Sequence, residues 1–216
     1  MKGWIIMDKK WIIFDVMGVI FTVGDDTNDL LVPYIQNINK DISRKKINEV
    51  YLKASLGHIN SAQFWEELNV ADSDKYAYIE KKYLDECLTI DEQFIDVATR
   101  LKKNYNLAIL SNDVSEWGEY LREKYGINDV VDYSIISGDV GLRKPSKEIY
   151  GIVLKKIGVE AKDCLFIDDR DKNLVPAMEI GMQVVKFLRD DTECKLTNVI
   201  TVDSFVNFEK ILSQVW

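Results

Sequence analysis

The sequence predicts an α/β protein built on a parallel sheet, and three observations support this prediction. Short apolar segments alternate with longer segments of helical periodicity, which is typical of βαβ units. Polar side chains follow directly after several of the apolar segments, where the strands of an open parallel sheet hold their ligands. Hydrophobic residues make up 47% of the 216 residues and charged residues 30%, so the chain can form one substantial core.

The first strand is Trp11–Phe14, an apolar run that is too short to span a membrane. The chain that follows carries helical periodicity with no strong strand in it. We expect helices there over Thr27–Asn39, Arg44–Leu56, Ser61–Leu68 and Asp74–Cys87, with Ser43, Ser61 and Ser73 as N-caps. Residues 22–90 therefore form a small helical insert, and residues 1–21 together with 91–216 form the core domain.

The remaining elements alternate between helix and strand. Strands are predicted at Leu107–Leu110, Tyr133–Ile136, Cys164–Ile167, Gln183–Phe187 and near Val199–Val202. Helices are predicted at Asp91–Asn104, Glu116–Tyr125, Ser146–Ile157, Lys172–Ile180 and Ser204–Leu212, with Gly181 capping the fourth. Strands separated by helices imply parallel pairing with right-handed crossovers.

Charge and cysteine content narrow the class of protein. The net charge of −8 disfavours a nucleic-acid partner and an anionic membrane, since both attract basic surfaces. The three cysteines, Cys87, Cys164 and Cys194, contain no CxxC pair, which argues against a disulfide framework or a zinc site and fits a reducing cytoplasm. We expect a cytoplasmic protein without a membrane or nucleic-acid partner, either a monomer or a homodimer.

Two similar segments compete for the role of first strand. Trp4–Asp8 (WIIMD) nearly repeats Trp11–Asp15 (WIIFD), so Asp8 is an alternative to Asp15. A small, flexible Gly18 follows Asp15, whereas two lysines and a tryptophan follow Asp8. We therefore predict that Asp15 is the reactive carboxylate and that residues 1–10 are a leader strand or an upstream start.

Polar groups at three strand ends are predicted to converge. Asp15, the pair Ser111-Asn112 and the pair Asp168-Asp169 each follow a strand, and Lys144 precedes a helix in Arg143-Lys144-Pro145. Neighbouring carboxylates repel and need a cation, and hard oxygen ligands suit Mg²⁺. A lysine and a hydroxyl suit a phosphoryl oxygen. The sequence thus predicts a magnesium-assisted phosphoryl site.

Four segments in this order and spacing resemble the motifs of the haloacid dehalogenase (HAD) superfamily. They are FDVMGVIF, LAILSND, GLRKPSKEIY and CLFIDDRDKNLVPAMEIGM, and the resemblance covers the chain from about Trp11 to Phe187. The most similar pattern is the group with a helical cap inserted after the first motif, including the phosphatase domain of soluble epoxide hydrolases. This resemblance implies a Rossmann-like, doubly wound parallel sheet core with a small helical-bundle cap inserted after the first strand.

The resemblance also assigns roles to individual residues. Asp15 matches the nucleophile that forms a covalent aspartyl intermediate. Ser111 and Asn112 match the groups that bind the phosphoryl group, and Lys144 matches the lysine that neutralises charge on it and on Asp15. Asp169 matches the direct Mg²⁺ ligand, Asp168 its neighbour acting through water or Lys144, and Asn173 lies where an outer-shell role is implied.

Met17 departs from the family pattern. That position normally gives the metal its backbone carbonyl and serves as general acid/base through a carboxylate; Met17 keeps only the carbonyl. The leading interpretation is a Mg²⁺-dependent phosphatase of a small phosphorylated substrate, weakened by Met17, which would hydrolyse aryl and acyl phosphates slowly and alkyl phosphates barely. The alternative from another class is a pseudo-enzyme that binds a phosphorylated ligand or a protein.

Two other branches of the family fit less well. The acidic pair Asp168-Asp169 speaks against a 2-haloacid dehalogenase. A phosphonatase would need a cap lysine, such as Lys53, as a Schiff base. His58, within Gly57–Ile59 between two predicted cap helices, is expected to help select the substrate, and it is a less favoured replacement acid.

Overall fold

The protein has a single six-stranded parallel sheet in the order β3-β2-β1-β4-β5-β6. The computed structural model describes residues 9–189 and 193–215; the competing segment Trp4–Asp8 lies outside them. The strands are β1 (Trp11–Phe14), β2 (Asn106–Ser111), β3 (Tyr133–Ile136), β4 (Cys164–Asp168), β5 (Gln183–Phe187) and β6 (Ile200–Val202). This order is the doubly wound arrangement, so the predicted fold class is confirmed.

The helices cover both faces of the sheet. Outside the cap they are α5 (Phe94–Leu101), α6 (Ser115–Lys124), α7 (Ile127–Val130), α8 (Ser137–Val140), α9 (Lys147–Ile157), α10 (Asp171–Glu179) and α11 (Phe205–Val215). On one face, Phe14 packs its ring against Phe94 of α5 and Phe208 of α11. On the other face, Ile13 shares a cluster with Tyr150 of α9. Successive side chains of β1 are buried on opposite faces of the sheet, and for this reason every residue of the strand is apolar.

Residues 22–90, which we call the cap, contain four α-helices. They are α1 (Val32–Ile38), preceded by a π-helical turn at Thr27–Leu31, then α2 (Arg44–Ala54), α3 (Ser61–Leu68) and α4 (Tyr76–Glu86). The Ser43 hydroxyl accepts the Lys46 N–H at 3.2 Å, which confirms that N-cap.

The N-cap predictions for Ser61 and Ser73 were wrong. Asn60 caps α3 instead: its side chain accepts the Gln63 amide while the Gln63 side chain accepts the Asn60 amide. Ser73 begins a short 3₁₀ turn at Ser73–Lys75 rather than capping α4. A serine and a neighbouring asparagine or aspartate are equally good caps in sequence, so only the backbone path separates them.

Two adjacent chain segments connect the cap to the core and are hydrogen-bonded to each other. The Thr22 N–H donates to the Thr89 carbonyl at 3.0 Å, and the Asp91 N–H donates to the Ile20 carbonyl at 2.8 Å. The cap also packs on α6, because the indole N–H groups of Trp65 and Trp117 both donate to the Glu80 carboxylate, at 2.7 and 2.8 Å. The cap is therefore seated directly over the core.

Two local features complete the fold. α10 ends in a left-handed Gly181 (φ +97°), whose N–H donates to the Met178 carbonyl while the Met182 N–H donates to that of Ala177, so the predicted cap is confirmed. The one-turn helices α7 and α8 were not predicted, because four residues are too few to show periodicity.

Among residues 9–189 and 193–215, no helix is long and apolar enough to cross a membrane.

Candidate active site

Asp15 lies where the strand order of the sheet reverses, between β1 and β4. Its N–H donates to the Ile167 carbonyl at 2.9 Å, which continues the pairing of β1 with β4 by one residue. The side chain is buried, and its Oδ1 accepts the Val16 N–H at 2.6 Å. Crevices at such reversal points are where doubly wound sheets bind ligands.

Lys144 holds two of the carboxylates together. Its Nζ lies 2.6 Å from Asp15 Oδ1 and 2.8 Å from Asp168 Oδ2, and its side chain is almost completely buried. Asp168 also accepts the Asn173 side-chain amide at 3.0 Å on both oxygens and the Arg170 N–H at 2.8 Å. Asp168 is thus saturated by protein donors.

Asp169, unlike Asp168, is not saturated by protein donors. Its Oδ1 is buried without a hydrogen-bond partner, and the Arg170 Nε lies 3.9 Å away, too far for a hydrogen bond. A buried carboxylate oxygen left in this state costs free energy unless a ligand satisfies it.

Burial and mutual repulsion raise the pKa values of the carboxyl groups at this site. Burial, followed by repulsion from Asp168, raises the pKa of Asp15 well above its ordinary value, against the pull of Lys144. Burial, followed by Asp168, also raises the pKa of Asp169 to about 6. Burial lowers the pKa of Lys144, but the charges of Asp15 and Asp168 outweigh it and the net shift is upward.

These residues fit a divalent cation. One oxygen each from Asp15, Asp168 and Asp169 lies within 4.8 Å of the others, and carboxylate oxygens are the ligands that Mg²⁺ prefers. Gly18 (φ +83°) and Gly24 both approach the Asp169 carboxylate so closely that a Cβ at either position would lie less than 3.0 Å from it. The backbone is therefore shaped around this carboxylate.

Ser111 and Asn112, at the end of β2, present different groups. The Ser111 hydroxyl is buried without a hydrogen-bond partner, so it can receive a ligand oxygen. The Asn112 side chain is engaged by the backbone of Lys144: its Oδ1 accepts the Lys144 N–H at 2.8 Å and its Nδ2 donates to the Lys144 carbonyl at 2.9 Å. Asn112 therefore fixes the position of Lys144, a role that the sequence did not indicate.

Asp15, Lys144, Ser111 and Asn112 line one cavity of about 240 Å³ between the core and the cap, whereas Asp168 and Asp169 are not among its lining residues. The predicted residues that line it are Asp15, Met17, Ser111, Asn112, Lys144 and Asn173. The structure adds Gly24, Asp25, Asp26, Thr27 and Tyr51 on the cap side, and Arg143, Arg170 and Lys172 from the core.

A family model described as haloacid dehalogenase-like hydrolase matches residues 9–180, most of the chain. The chain belongs to this family. The resemblance read from the four motifs is thereby confirmed.

Curated relatives of this HAD-like hydrolase match over part of their length. Drimenol cyclase of Aspergillus calidoustus is 27% identical over 195 residues, which cover 81% of this chain and 35% of that protein. D-ribitol-5-phosphate phosphatase of Bacteroides thetaiotaomicron is 30% identical over 100 residues, or 44% of this chain and 48% of that protein. The matched part spans from about a third to a half of these two relatives.

Solved structures show the same fold. A HAD family enzyme from Bacteroides thetaiotaomicron, crystallised as a magnesium complex, superimposes with a TM-score of 0.72 over 87% of this chain and 96% of that one, at 18% identity. At this identity the likeness concerns the fold alone.

His58 of this HAD-like hydrolase is not brought to the site. It is exposed and is not among the residues that line the cavity. Gly57 (φ +70°) packs directly on the Gly138 carbonyl of the core, and the His58 N–H donates back to the Lys53 carbonyl at 3.0 Å, so the loop lies against the core beside the cavity. Substrate selection by His58 remains a prediction that this geometry does not support.

Arg143 and Arg170 line the cavity, although the sequence prediction did not assign them a role. Arg143 donates to the Ser55 hydroxyl and lies 5.6 Å from the centre of the Tyr51 ring. Arg170 donates to the Gly24 carbonyl. Both directly neighbour predicted residues, Lys144 and Asp169, and that adjacency was the signal available in the sequence.

Proposed function

We propose that this HAD-like hydrolase is a Mg²⁺-dependent phosphatase of small phosphorylated metabolites. One observation carries the proposal: Asp15, paired with Lys144, shares a single polar cavity with the unpartnered Ser111 hydroxyl and lies beside the unpartnered oxygen of Asp169. A nucleophile, a cation and a hydroxyl around a phosphate-sized space are the groups that phosphoryl transfer needs. The relative named as a D-ribitol-5-phosphate phosphatase supports the same reaction class.

The residues divide the chemistry among them. The Val16 amide and Lys144 both contact Oδ1 of Asp15, which leaves Oδ2 to attack phosphorus. Lys144 offsets charge on the nucleophile and the phosphoryl group, and the Ser111 hydroxyl donates to a phosphoryl oxygen. Mg²⁺, when bound by Asp15, Asp169 and the Met17 carbonyl, would neutralise the remaining charge. Asp168 holds Lys144, and Asn112 holds the Lys144 backbone.

The cap covers one side of this cavity and would limit the access of water to it. Tyr51 of α2 reaches the core through its hydroxyl, which donates to the Asn112 carbonyl at 3.3 Å. Water excluded in this way strengthens the electrostatic interactions inside and protects an aspartyl phosphate from premature hydrolysis.

Met17 favours a second candidate function. Its side chain lines the cavity where the family pattern places a carboxylate, so that position can neither protonate a leaving group nor activate water. A pseudo-enzyme that binds a phosphorylated ligand in the same cavity would keep Lys144 and Ser111 and tolerate Met17.

A substrate screen separates the two functions. Sugar phosphates, nucleotides, acyl phosphates and an aryl phosphate are tested with and without Mg²⁺, on wild type and on Asp15→Asn. A phosphatase turns over at least the aryl phosphate, requires Mg²⁺, and loses activity in Asp15→Asn while Asp8→Asn retains it. Absence of turnover together with tight binding of one compound would favour the pseudo-enzyme.

Metal binding has its own measurement. Calorimetric titration with Mg²⁺ is expected to give binding to wild type and much weaker binding to Asp169→Asn, because the unpartnered oxygen of Asp169 is the group that the metal would satisfy. Equal affinity in the two proteins would remove Asp169 from the metal site.

A further inference from the structure

Asp26 is a buried carboxyl on the cap side of the cavity whose presence there has no structural explanation. It precedes the π-helical turn Thr27–Leu31 and is 8% exposed, and it lines the same cavity as Asp15 and Met17. Although it occupies the N-cap position, its side chain makes no capping hydrogen bond. Within the described residues it forms no ion pair, and the N–H of the adjacent Thr27 is the backbone group that donates to it.

Several charged and titratable groups surround this carboxyl. They are Arg170 and Arg143 from the core loops, Asp113 after β2, the neighbouring Asp25, Tyr51 on α2 and Tyr83 on α4. Arg170 interacts electrostatically with Asp15 and Asp169 as well as with Asp26. A single guanidinium therefore lies near both the nucleophile and the cap carboxyl.

The environment keeps Asp26 able to hold a proton near neutral pH. Burial raises the pKa of Asp26 to about 7, Arg170 opposes that rise, and Asp25 adds to it. A carboxyl with its pKa near the working pH is suited to give up and take back a proton during turnover.

We propose that Asp26 is the general acid and base of this enzyme, in place of the carboxylate that Met17 lacks. The inference rests on the proposed phosphatase function. Asp15 approaches phosphorus from the sheet, and in-line displacement sends the leaving oxygen away from it, toward the cap. Asp26 is a carboxyl that the cap contributes to this cavity.

The step balances with the residues present. As the bond from Asp15 Oδ2 to phosphorus forms and the ester P–O bond breaks, the Asp26 proton passes to the departing oxygen, which leaves as an alcohol. Water then attacks the phosphorus of the aspartyl phosphate and gives one proton to the Asp26 carboxylate. Asp15 and inorganic phosphate are released, and Asp26 is protonated again.

Asp25 is the other cap carboxylate that lines the cavity, and it fits this role less well. It is exposed, its oxygens accept hydrogen bonds from the Asn28 side chain, and its Oδ1 lies 3.8 Å from Arg170. Because the Asn28 side chain already engages both of its oxygens, Asp25 is less free to reach a leaving oxygen.

The test uses leaving groups that differ in their need for a proton. An alkoxide leaves poorly without protonation, whereas an aryl oxide leaves readily. We expect Asp26→Asn to lower kcat/KM for an alkyl phosphate by about 100-fold or more, and for an aryl phosphate by only a few-fold. Asp29→Asn removes the same charge from the exposed face of the adjoining turn and should leave both substrates unchanged.

Two further readouts distinguish an acid from a merely structural residue. For the alkyl phosphate, kcat/KM of wild type should fall as the pH rises through about 7, and this limb should vanish in Asp26→Asn. Adding Met17→Asp to Asp26→Asn should recover alkyl phosphate hydrolysis by at least about tenfold, because it returns a carboxyl to the cavity.

The outcomes also separate this inference from the function on which it rests. Loss of alkyl and aryl phosphate activity in equal proportion in Asp26→Asn would overturn the acid role, as would wild-type activity of this variant on both substrates. In either case aryl turnover through Asp15 would leave the phosphatase proposal intact. A wild type that hydrolyses no phosphate would overturn the proposed function and this inference together.

Discussion

Replacing Gly18 with alanine tests whether the backbone around Asp169 is shaped to hold a metal. Gly18 has φ +83°, and an added Cβ would lie less than 3.0 Å from the Asp169 carboxylate and from the Gly24 backbone. Asp169 is buried, and its own carbonyl accepts a hydrogen bond from the buried Lys186, so the carboxylate has little room to move. We expect Gly18→Ala to displace it.

The magnitude has two parts. The left-handed conformation costs a residue with a Cβ roughly 1–2 kcal/mol. Forcing a buried group aside adds about 1–3 kcal/mol. Gly158→Ala isolates the first part, because Gly158 has φ +74° and nothing within 4 Å of an added Cβ. Gly24→Ala isolates the second, because its Cβ would meet Asp169 without a positive φ.

The assay combines urea unfolding with the Mg²⁺ dependence of aryl phosphate hydrolysis. Gly18→Ala and Gly24→Ala should raise the Mg²⁺ concentration for half-maximal activity at least about tenfold, equivalent to 1.4 kcal/mol. Gly158→Ala should lose stability and keep its Mg²⁺ dependence. If all three variants share the Mg²⁺ dependence of wild type, Asp169 does not hold the metal in the way we infer.

Three other perturbations have expected outcomes. Lys144→Met removes the ion-pair partner of Asp15 and Asp168, so the free energy of unfolding measured in the presence of a chelator should fall by about 3–5 kcal/mol. Added Mg²⁺ should restore part of this loss, and a loss that Mg²⁺ does not reduce would contradict the reasoning. Burial raises the pKa of Asp113 to about 8, and a carboxyl whose pKa is higher in the folded than in the unfolded state makes the fold less stable as the pH rises between the two values. In urea unfolding, the free energy of unfolding should therefore fall less between about pH 5 and pH 8.5 for Asp113→Asn than for wild type. An equal fall in the two proteins would exclude this cause. Asn112→Ala releases the Lys144 backbone and should lower kcat at least about tenfold with a smaller change in KM, and an activity close to that of wild type would show that Lys144 holds its place without it.

The strands were the most predictable part of this chain. Trp11–Phe14, Tyr133–Ile136 and Gln183–Phe187 have the bounds that their apolar patterns predict, because pairing inside a covered sheet demands apolar residues. The helix expected over Asp91–Asn104 is shorter, Phe94–Leu101. The Asp91 side chain instead accepts the Gln93 amide and pairs with Arg189 at 2.7 Å, contacts that local periodicity does not reveal.

The core side of the site was also predictable, and the cap side was not. Asp15, Ser111 and Asp168 meet because parallel strands end at one edge, which follows from the order of elements. Asp26 and Tyr51 reach the cavity only through the way in which the cap packs on the core. That packing depends on contacts such as Trp65 and Trp117 with Glu80, which join residues distant in sequence.

The two segments that connect the cap to the core are hydrogen-bonded to each other at Thr22 and Thr89, and this contact affects how the chain folds. β1 must pair with β2 about 95 residues later, as Trp11 with Asn106. A cap that forms early, with its ends already joined, shortens the loop to be closed to roughly a quarter, and the entropy of closure falls by roughly 1 kcal/mol. Formation of the sheet that carries Asp15 and Ser111 is thereby linked to formation of the cap, so a mutation that delays cap folding should slow refolding of the sheet.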